Sequence, residues 1–344
     1  MYNYDSVVDI QLEITTACNA ACPQCPRNHL GGATLDNLPK ITWSLSDAQK
    51  IMPEDFVKNL KSIYLCGTYG DPMANKNVVA ICKWFKQVNP TVKISLHTNG
   101  GLGTVKSYKE LAGLLDFMAF GIDGLEDTNH LYRRNTNWQI IMRNVRAFLA
   151  NGGKAVWDFI VYQHNQHQVA QAQQLSKELG FSRFNIKKTY RFVNRDYELV
   201  PFIDVQGFKL APPSDPLYLN KQISLLNKVE LESYNRTTKI SCYYLAQNSI
   251  YIGADGYVFP CGWLHERLYG VEYSKDHKTI QQMMQEAGGP DQANCFSTPL
   301  RQIVNGSWFE KIAENWSTNR LDRCAMMCGE KLNMIKDQNE LVNY

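Results

Sequence analysis

Residues 7–15 (VVDIQLEIT) form an apolar, β-branched run that stops at a polar loop, the pattern of a strand delivering a loop at its C-terminal end. The same unit recurs. Residues 62–66 lead into GTYGDP at 67–72, residues 92–97 into TNGG at 98–101, and residues 117–122 into the turn at Asp123 and Gly124. Between them helical spacing predicts helices at 46–60, 77–87 and 104–114, with Ser46 and Thr104 as N-caps. The alternation continues through a helix at 138–150, a strand at 155–162, a helix at 166–179 closed by Gly180, and a strand at 183–188. Short connections between alternating strands and helices imply parallel strands with right-handed crossovers. Six such units make the expected fold class α/β, a partial (β/α)6 barrel whose strand-end loops share one face and bear the chemistry. Beyond Tyr190 the pattern breaks at Pro201, Pro212, Pro213 and Pro216, and residues 249–252 and 257–260 flanking Ala-Asp-Gly predict a hairpin. The expected organisation is therefore a core at 1–190, a bridging segment at 191–240, a small α+β domain at 241–330 and a tail at 331–344.

With 344 residues, 44% of them hydrophobic, the chain can bury a sizeable core without disulfides. Its 36 basic and 33 acidic residues are scattered and sum to +3, so no basic stripe marks it for nucleic acid. No uncharged apolar run approaches the roughly 18 residues of a membrane span. The start, MYNYDSVVDIQLE, has neither the basic nor the apolar region of a signal peptide. A cytoplasmic protein with no membrane partner is expected.

Ten cysteines change this picture, because cytosolic thiols in groups bind metal or do chemistry more often than they form disulfides. Cys18, Cys22 and Cys25 stand in a C-x3-C-x2-C loop after the first strand. Three thiolates within eight residues suit three corners of a cubane iron–sulfur cluster and leave the fourth iron open. A structural zinc site is the alternative, with His29 as the only nearby fourth ligand. Cys66 and Cys82 read as buried small apolar residues.

The cysteine loop within this β/α chain resembles the radical S-adenosylmethionine (radical SAM) superfamily over residues 7 to about 190. The resemblance implies that Cys18, Cys22 and Cys25 hold a 4Fe-4S cluster whose unique iron chelates SAM. It implies that the stretch Gly70, Asp71 and Pro72 stands where the family's Gly-Gly-Glu-Pro turn meets the SAM amino group. Thr98, Asn99 and Gly100, and the segment Gly121 to Gly124 with Asp123, resemble the segments lining SAM and substrate in the peptide-modifying branch. Two departures stand out: Gly121 replaces the usual serine, and Gln24 replaces the aromatic residue that often precedes the third cysteine. The resemblance further implies that Arg133 or Arg134 holds the SAM carboxylate through its guanidinium, a solvated charge at a helix start being the alternative. Lys187, Lys188 and Arg191 follow strand six, as binding residues for an anion or as a solvated rim.

The second cysteine group, Cys242 and Cys261 around the hairpin and Cys324-x3-Cys328 as an i, i+4 pair, resembles the SPASM and twitch extensions of that superfamily. A twitch-like domain with a second, auxiliary 4Fe-4S cluster is implied, with Cys295 as an alternative to Cys328 as fourth ligand. The function so implied is a radical SAM enzyme that reductively cleaves SAM and abstracts a hydrogen atom from a peptide or small-molecule substrate. Its partner would be an electron donor such as flavodoxin or ferredoxin. A non-catalytic zinc protein using the cysteines as structural knots is the competing reading, and the sequence assigns no catalytic acid or base.

Overall fold

The computed structural model describes residues 2–192, 201–220, 228–270, 274–332 and 339–343. Its strands are β1 (Asp9–Leu12), β2 (Ser62–Leu65), β3 (Lys93–Thr98), β4 (Phe117–Gly121), β5 (Ala155–Ile160), β6 (Arg183–Lys187), β7 (Phe202–Ile203), β8 (Lys209–Leu210), β9 (Ser249–Ile252), β10 (Val258–Phe259) and β11 (Asn339–Asn343). The architecture is mixed α/β with a mostly parallel sheet flanked by helices. Contacts divide the chain into two compact units, each assembled from segments distant in sequence.

The first unit comprises Met1–Ala17, Asn37–Ile94 and Glu230–Asn333. Here β1 lies between two parallel neighbours, β2 with Leu12 opposite Leu65 and β9 with Leu12 opposite Ile252. β10 returns antiparallel on β9, so the expected hairpin forms. Its pairing to β1 makes residues from the C-terminal part of the chain continuous with the first strand. Indole hydrogen bonds reinforce this, from Trp43 Nε1 to the Ala254 carbonyl at 2.8 Å and from Trp308 Nε1 to that of Val258 at 2.7 Å. The single helix expected at 46–60 is two, Leu45–Ile51 and Glu54–Asn59. Pro53 lacks an N–H and drives Met52 out of helical geometry, to φ −115° and ψ 91°. The N-cap is Ser44, in a capping box with Asp47, in place of the expected Ser46.

The second unit comprises Cys18–Asp36, Ser95–Val229 and Met334–Tyr344. Strands β3 to β6 run parallel in sequence order, and β11 adds an antiparallel edge to β6. Side chains alternate between the faces. Met118, Phe120, Trp157, Phe159 and Phe184 are fully buried on the face covered by helices Val105–Ala112 and Trp138–Leu149, with Phe120 and Phe148 rings 6.1 Å apart. Register puts His97 beside Ala119, Gly121 beside Asp158, and Asp158 beside Asn185, all on the other, polar face. Within the expected bridging segment the described residues form the β7–β8 hairpin and the helix Lys228–Thr237, while 193–200 and 221–227 lie outside the described residues. No helix among the described residues is long and apolar enough to cross a membrane.

Candidate active site

In the second unit the cysteine loop follows β1 and turns back on itself, with the Cys25 amide donating to the Cys22 carbonyl at 3.1 Å. Cys18 Sγ accepts from the Ala20 amide at 3.4 Å and from Asn99 Nδ2 at 3.6 Å. Asn99 is fixed in turn by Asn19 Oδ1 at 2.9 Å and by the Gly101 amide at 2.7 Å, and the buried Thr98 hydroxyl accepts from the Gly100 amide. The TNGG loop is thus joined to the first cysteine by side-chain hydrogen bonds.

Arg133 occupies the centre of this arrangement. Its Nε donates to Asp123 Oδ2 at 2.5 Å, and its Nη1 reaches Cys22 Sγ at 3.8 Å. Asp123 is fully buried and also accepts from the Ile160 amide at 2.6 Å. Burial pushes its carboxyl up, and the Arg133 guanidinium works against that rise. Gly121 explains itself here, because a Cβ at that position would stand 2.6 Å from Arg133 Nη2. Arg134 diverges from its neighbour: it pairs with Asp204, while its Nη1 is buried without a hydrogen-bond partner among the described residues. Gln24 is also buried, donating to the Arg191 carbonyl while its own carbonyl accepts from Arg191 Nη1.

Around the loop, Ala20 and Cys22 pack with Tyr132, Tyr162, Phe192 and Leu210, and Cys18 and Cys25 lie against that cluster. Burial pushes the Cys22 thiol up to about 11 and raises that of Cys25. Apolar shelter of this kind suits thiolates that a cationic metal group has deprotonated, and it keeps unliganded thiols neutral. On the polar sheet face nearby, Asp158 receives Lys187 Nζ at 3.3 Å and His97 Nε2 at 3.5 Å. Burial opposes its charge, but the His97 hydrogen bond and the Lys187 ammonium hold its carboxyl at about 2.

In the first unit the GTYGDP turn after β2 packs on the backbone just ahead of the cysteines. The Asp71 amide donates to the Ala17 carbonyl at 2.9 Å, and Asp71 caps the short helix Pro72–Ala74 by accepting from the Met73 amide at 3.0 Å. Gly70 passes so close to Thr15 that a Cβ would lie 1.8 Å from its carbonyl oxygen.

The same unit gathers the second cysteine group. Cys242, Cys261, Cys324 and Cys328 line one pocket, walled by Tyr244, Trp263, Leu264, Trp316 and Met327. Cys261 follows β10, and Cys324 and Cys328 lie one turn apart on the helix Asp322–Cys328. The hydrogen bond between the Cys242 and Cys328 thiols draws Cys242 down and pushes Cys328 up, whereas burial pushes Cys261 up to about 12. Cys295 is not among the lining residues; its amide donates to the Gly256 carbonyl at 2.8 Å. Among the described residues no three His, Cys, Asp or Glu side chains converge on one ion position. Cys66 and Cys82 are buried, as expected of apolar packing residues.

Sequence reasoning missed Glu13, which accepts the Tyr69 and Gly70 amides, and the Asp158 cluster. The available signal for Glu13 was a carboxylate inside the apolar run 7–15, which also holds Asp9.

Residues 12–171 match the Radical SAM superfamily. Solved structures of similar fold include Streptococcus suis SuiB bound to S-adenosylmethionine, at 13% identity and TM-score 0.54 over 86% of this chain and 65% of that one. SuiB bound to precursor peptide SuiA aligns at 13% and 0.54, over 87% and 65%. The anSMEcpe protein with bound AdoMet aligns at 14% and 0.55, over 96% and 87%. The chain therefore spans 65% of the length of SuiB, and at these identities the likeness is one of fold. No curated protein matches the chain by sequence.

Proposed function

We propose that this chain, whose residues 12–171 match the Radical SAM superfamily, is an enzyme that binds SAM at a 4Fe-4S cluster on Cys18, Cys22 and Cys25 and oxidises or modifies a peptide or small-molecule substrate. When bound, the cluster and SAM supply an electron and a 5′-deoxyadenosyl radical able to take a hydrogen atom from an unactivated carbon. The chain's part is to hold, orient and shelter. The aromatic cluster around Cys22 excludes water, Asn99 fixes the first cysteine, and Arg133, pinned by Asp123, sets a positive charge beside the second. By the family resemblance the Gly70–Pro72 turn takes the SAM amino group, and the SAM carboxylate falls to the guanidinium of Arg133 or Arg134. Arg134 Nη1, buried and unpartnered, fits such a ligand.

The observation that supports the reading most is the convergence of TNGG, Asp123 and Arg133 on the cysteine loop, from four separate stretches of sequence. For the second group, four thiols that line one pocket without converging, among the described residues, on a single ion position fit an auxiliary 4Fe-4S cluster better than one zinc ion. Zinc–sulfur bonds of about 2.3 Å would draw the sulfurs onto a single point. In domain terms the proposal assigns a radical SAM core to 1–190, a bridge to 191–240, a twitch-like auxiliary domain to 241–330 and a tail to 331–344. Peptide substrates are supported by SuiB bound to its precursor peptide, and flavodoxin or ferredoxin is the proposed electron donor.

Anaerobically reconstituted protein given dithionite and SAM will release 5′-deoxyadenosine without substrate, and Cys22→Ala will not. Release by the variant at the wild-type rate, or stoichiometric zinc with no iron and sulfide in the native protein, rejects the proposal.

A further inference from the structure

Glu13 is a buried carboxyl group of the first unit, 1% exposed, and its partners Tyr69, Gly70, Tyr251 and His265 belong to the same unit. Its Oε1 accepts from two consecutive backbone amides, Tyr69 at 2.8 Å and Gly70 at 2.6 Å, and its Oε2 accepts from the Tyr251 hydroxyl at 2.7 Å. Tyr251 also touches Thr68 Oγ1 at 3.1 Å, so a single residue of β9 braces both the carboxyl and the turn. Behind them His265 Nδ1 stands 4.0 Å from Oε2 without a hydrogen bond of its own, its Nε2 held by both Asp255 oxygens at 3.0 and 2.9 Å. Tyr69 adds a hydroxyl to the His265 carbonyl at 3.0 Å. Buried amides that lack a partner are costly, and among the described residues these two share one acceptor, Glu13 Oε1.

These two amides belong to the turn that the proposed function assigns to the SAM amino group. We propose that Glu13 is the positioning residue of that turn, pinning Tyr69 and Gly70 so that the stretch through Pro72 is formed before SAM arrives. This rests on the radical SAM reading for the identity of the ligand, and on Glu13's own contacts for the rest. A ligand meeting a preformed turn loses less free energy to ordering it, so Glu13 acts on SAM affinity more than on the chemical step. Burial pushes the Glu13 carboxyl up while His265, Tyr251 and the two amides oppose the rise; either protonation state leaves Oε1 an acceptor.

The test uses the full chain, anaerobically reconstituted, with iron content measured. In Glu13→Ala the amides of Tyr69 and Gly70 will exchange hydrogen at least about tenfold faster, and the SAM dissociation constant by equilibrium dialysis will rise at least about tenfold. Glu13→Gln keeps an oxygen at the acceptor position and will stay within about threefold of wild type in both. Deoxyadenosine formation at saturating SAM will change little beside the change in KM. Unchanged exchange in Glu13→Ala, or faster exchange with wild-type SAM affinity, overturns the proposal. If Glu13→Ala does not fold, Tyr251→Phe frees Oε2 and will raise both quantities about threefold, and no rise in either overturns it. Failure of the iron-loaded wild type to bind SAM would instead reject the proposed function, and the exchange rates would still decide whether Glu13 pins the turn.

Discussion

Gly70 and Gly121 show how single residues shape the proposed site, each by what it leaves out. At Gly121 the missing side chain admits the Arg133 guanidinium, and at Gly70 it admits the Thr15 carbonyl. The second contact is with rigid backbone, 1.8 Å from where a Cβ would stand, so no rotamer change relieves it. Gly70→Ala must therefore move the turn off Thr15, at a cost of about 1–3 kcal/mol as for other overpacked sites. SAM affinity will fall more than about tenfold, an amount expected of losing about 1.4 kcal/mol of binding. Thermal unfolding and equilibrium dialysis together check this: a lower melting temperature with unchanged SAM affinity would separate the turn from the ligand. Residue types at this scale were legible where a motif names them, as with the three cysteines and Gly70. Partner choice was not. Arg133 and Arg134 are adjacent in sequence and equivalent by spacing, yet one turns to Asp123 and Cys22 and the other to Asp204, 70 residues away.

At the level of elements, local pattern read well where it was self-sufficient. The hairpin at β9 and β10 and the i, i+4 cysteine pair on Asp322–Cys328 follow from turn chemistry and helix geometry alone. The helix expected at 46–60 failed at a local cause that was visible, Pro53. Two features depend on distant partners and leave no local trace: the parallel pairing of β9 to β1, and β11 at the edge of β6 within the expected tail. The elements bearing the second cysteine group all belong to the first compact unit, whereas Cys18, Cys22 and Cys25 belong to the second. The C-terminal set should then assemble its metal by itself. Replacing Cys18, Cys22 and Cys25 together with Ala will leave a brown protein with about half of the roughly eight irons that two cubanes imply. A colourless protein holding one zinc per chain would assign those four thiols to a structural knot.

For the molecule as a whole, the interleaving of segments sets limits on what the two cysteine groups can do for each other. β1 enters the sheet of the first unit and, within six residues of its end, delivers Cys18 to the second. Each group thus has its own unit, its own apolar lining and its own hydrogen bonds: Tyr132, Tyr162 and Arg133 for one, Tyr244, Trp263 and Trp316 for the other. In the proposed function Cys18, Cys22 and Cys25 would hold the cluster that supplies the radical chemistry, and Cys242, Cys261, Cys324 and Cys328 would hold a group able to accept the electron that a substrate radical must lose for a net two-electron oxidation. Damage to the auxiliary group should then leave SAM cleavage intact and stop product. Cys261→Ala is the sharpest probe, because Cys261 is buried in the pocket wall next to β10 and belongs to the first unit, whereas the Cys18 loop belongs to the second. The folded variant, checked by circular dichroism, will keep deoxyadenosine formation within about threefold of wild type, an allowance of about 0.7 kcal/mol in barrier height. With a substrate present it will form deoxyadenosine without the matching product. Normal product formation by a folded Cys261→Ala protein would make the C-terminal cysteines a structural cap and remove the acceptor role.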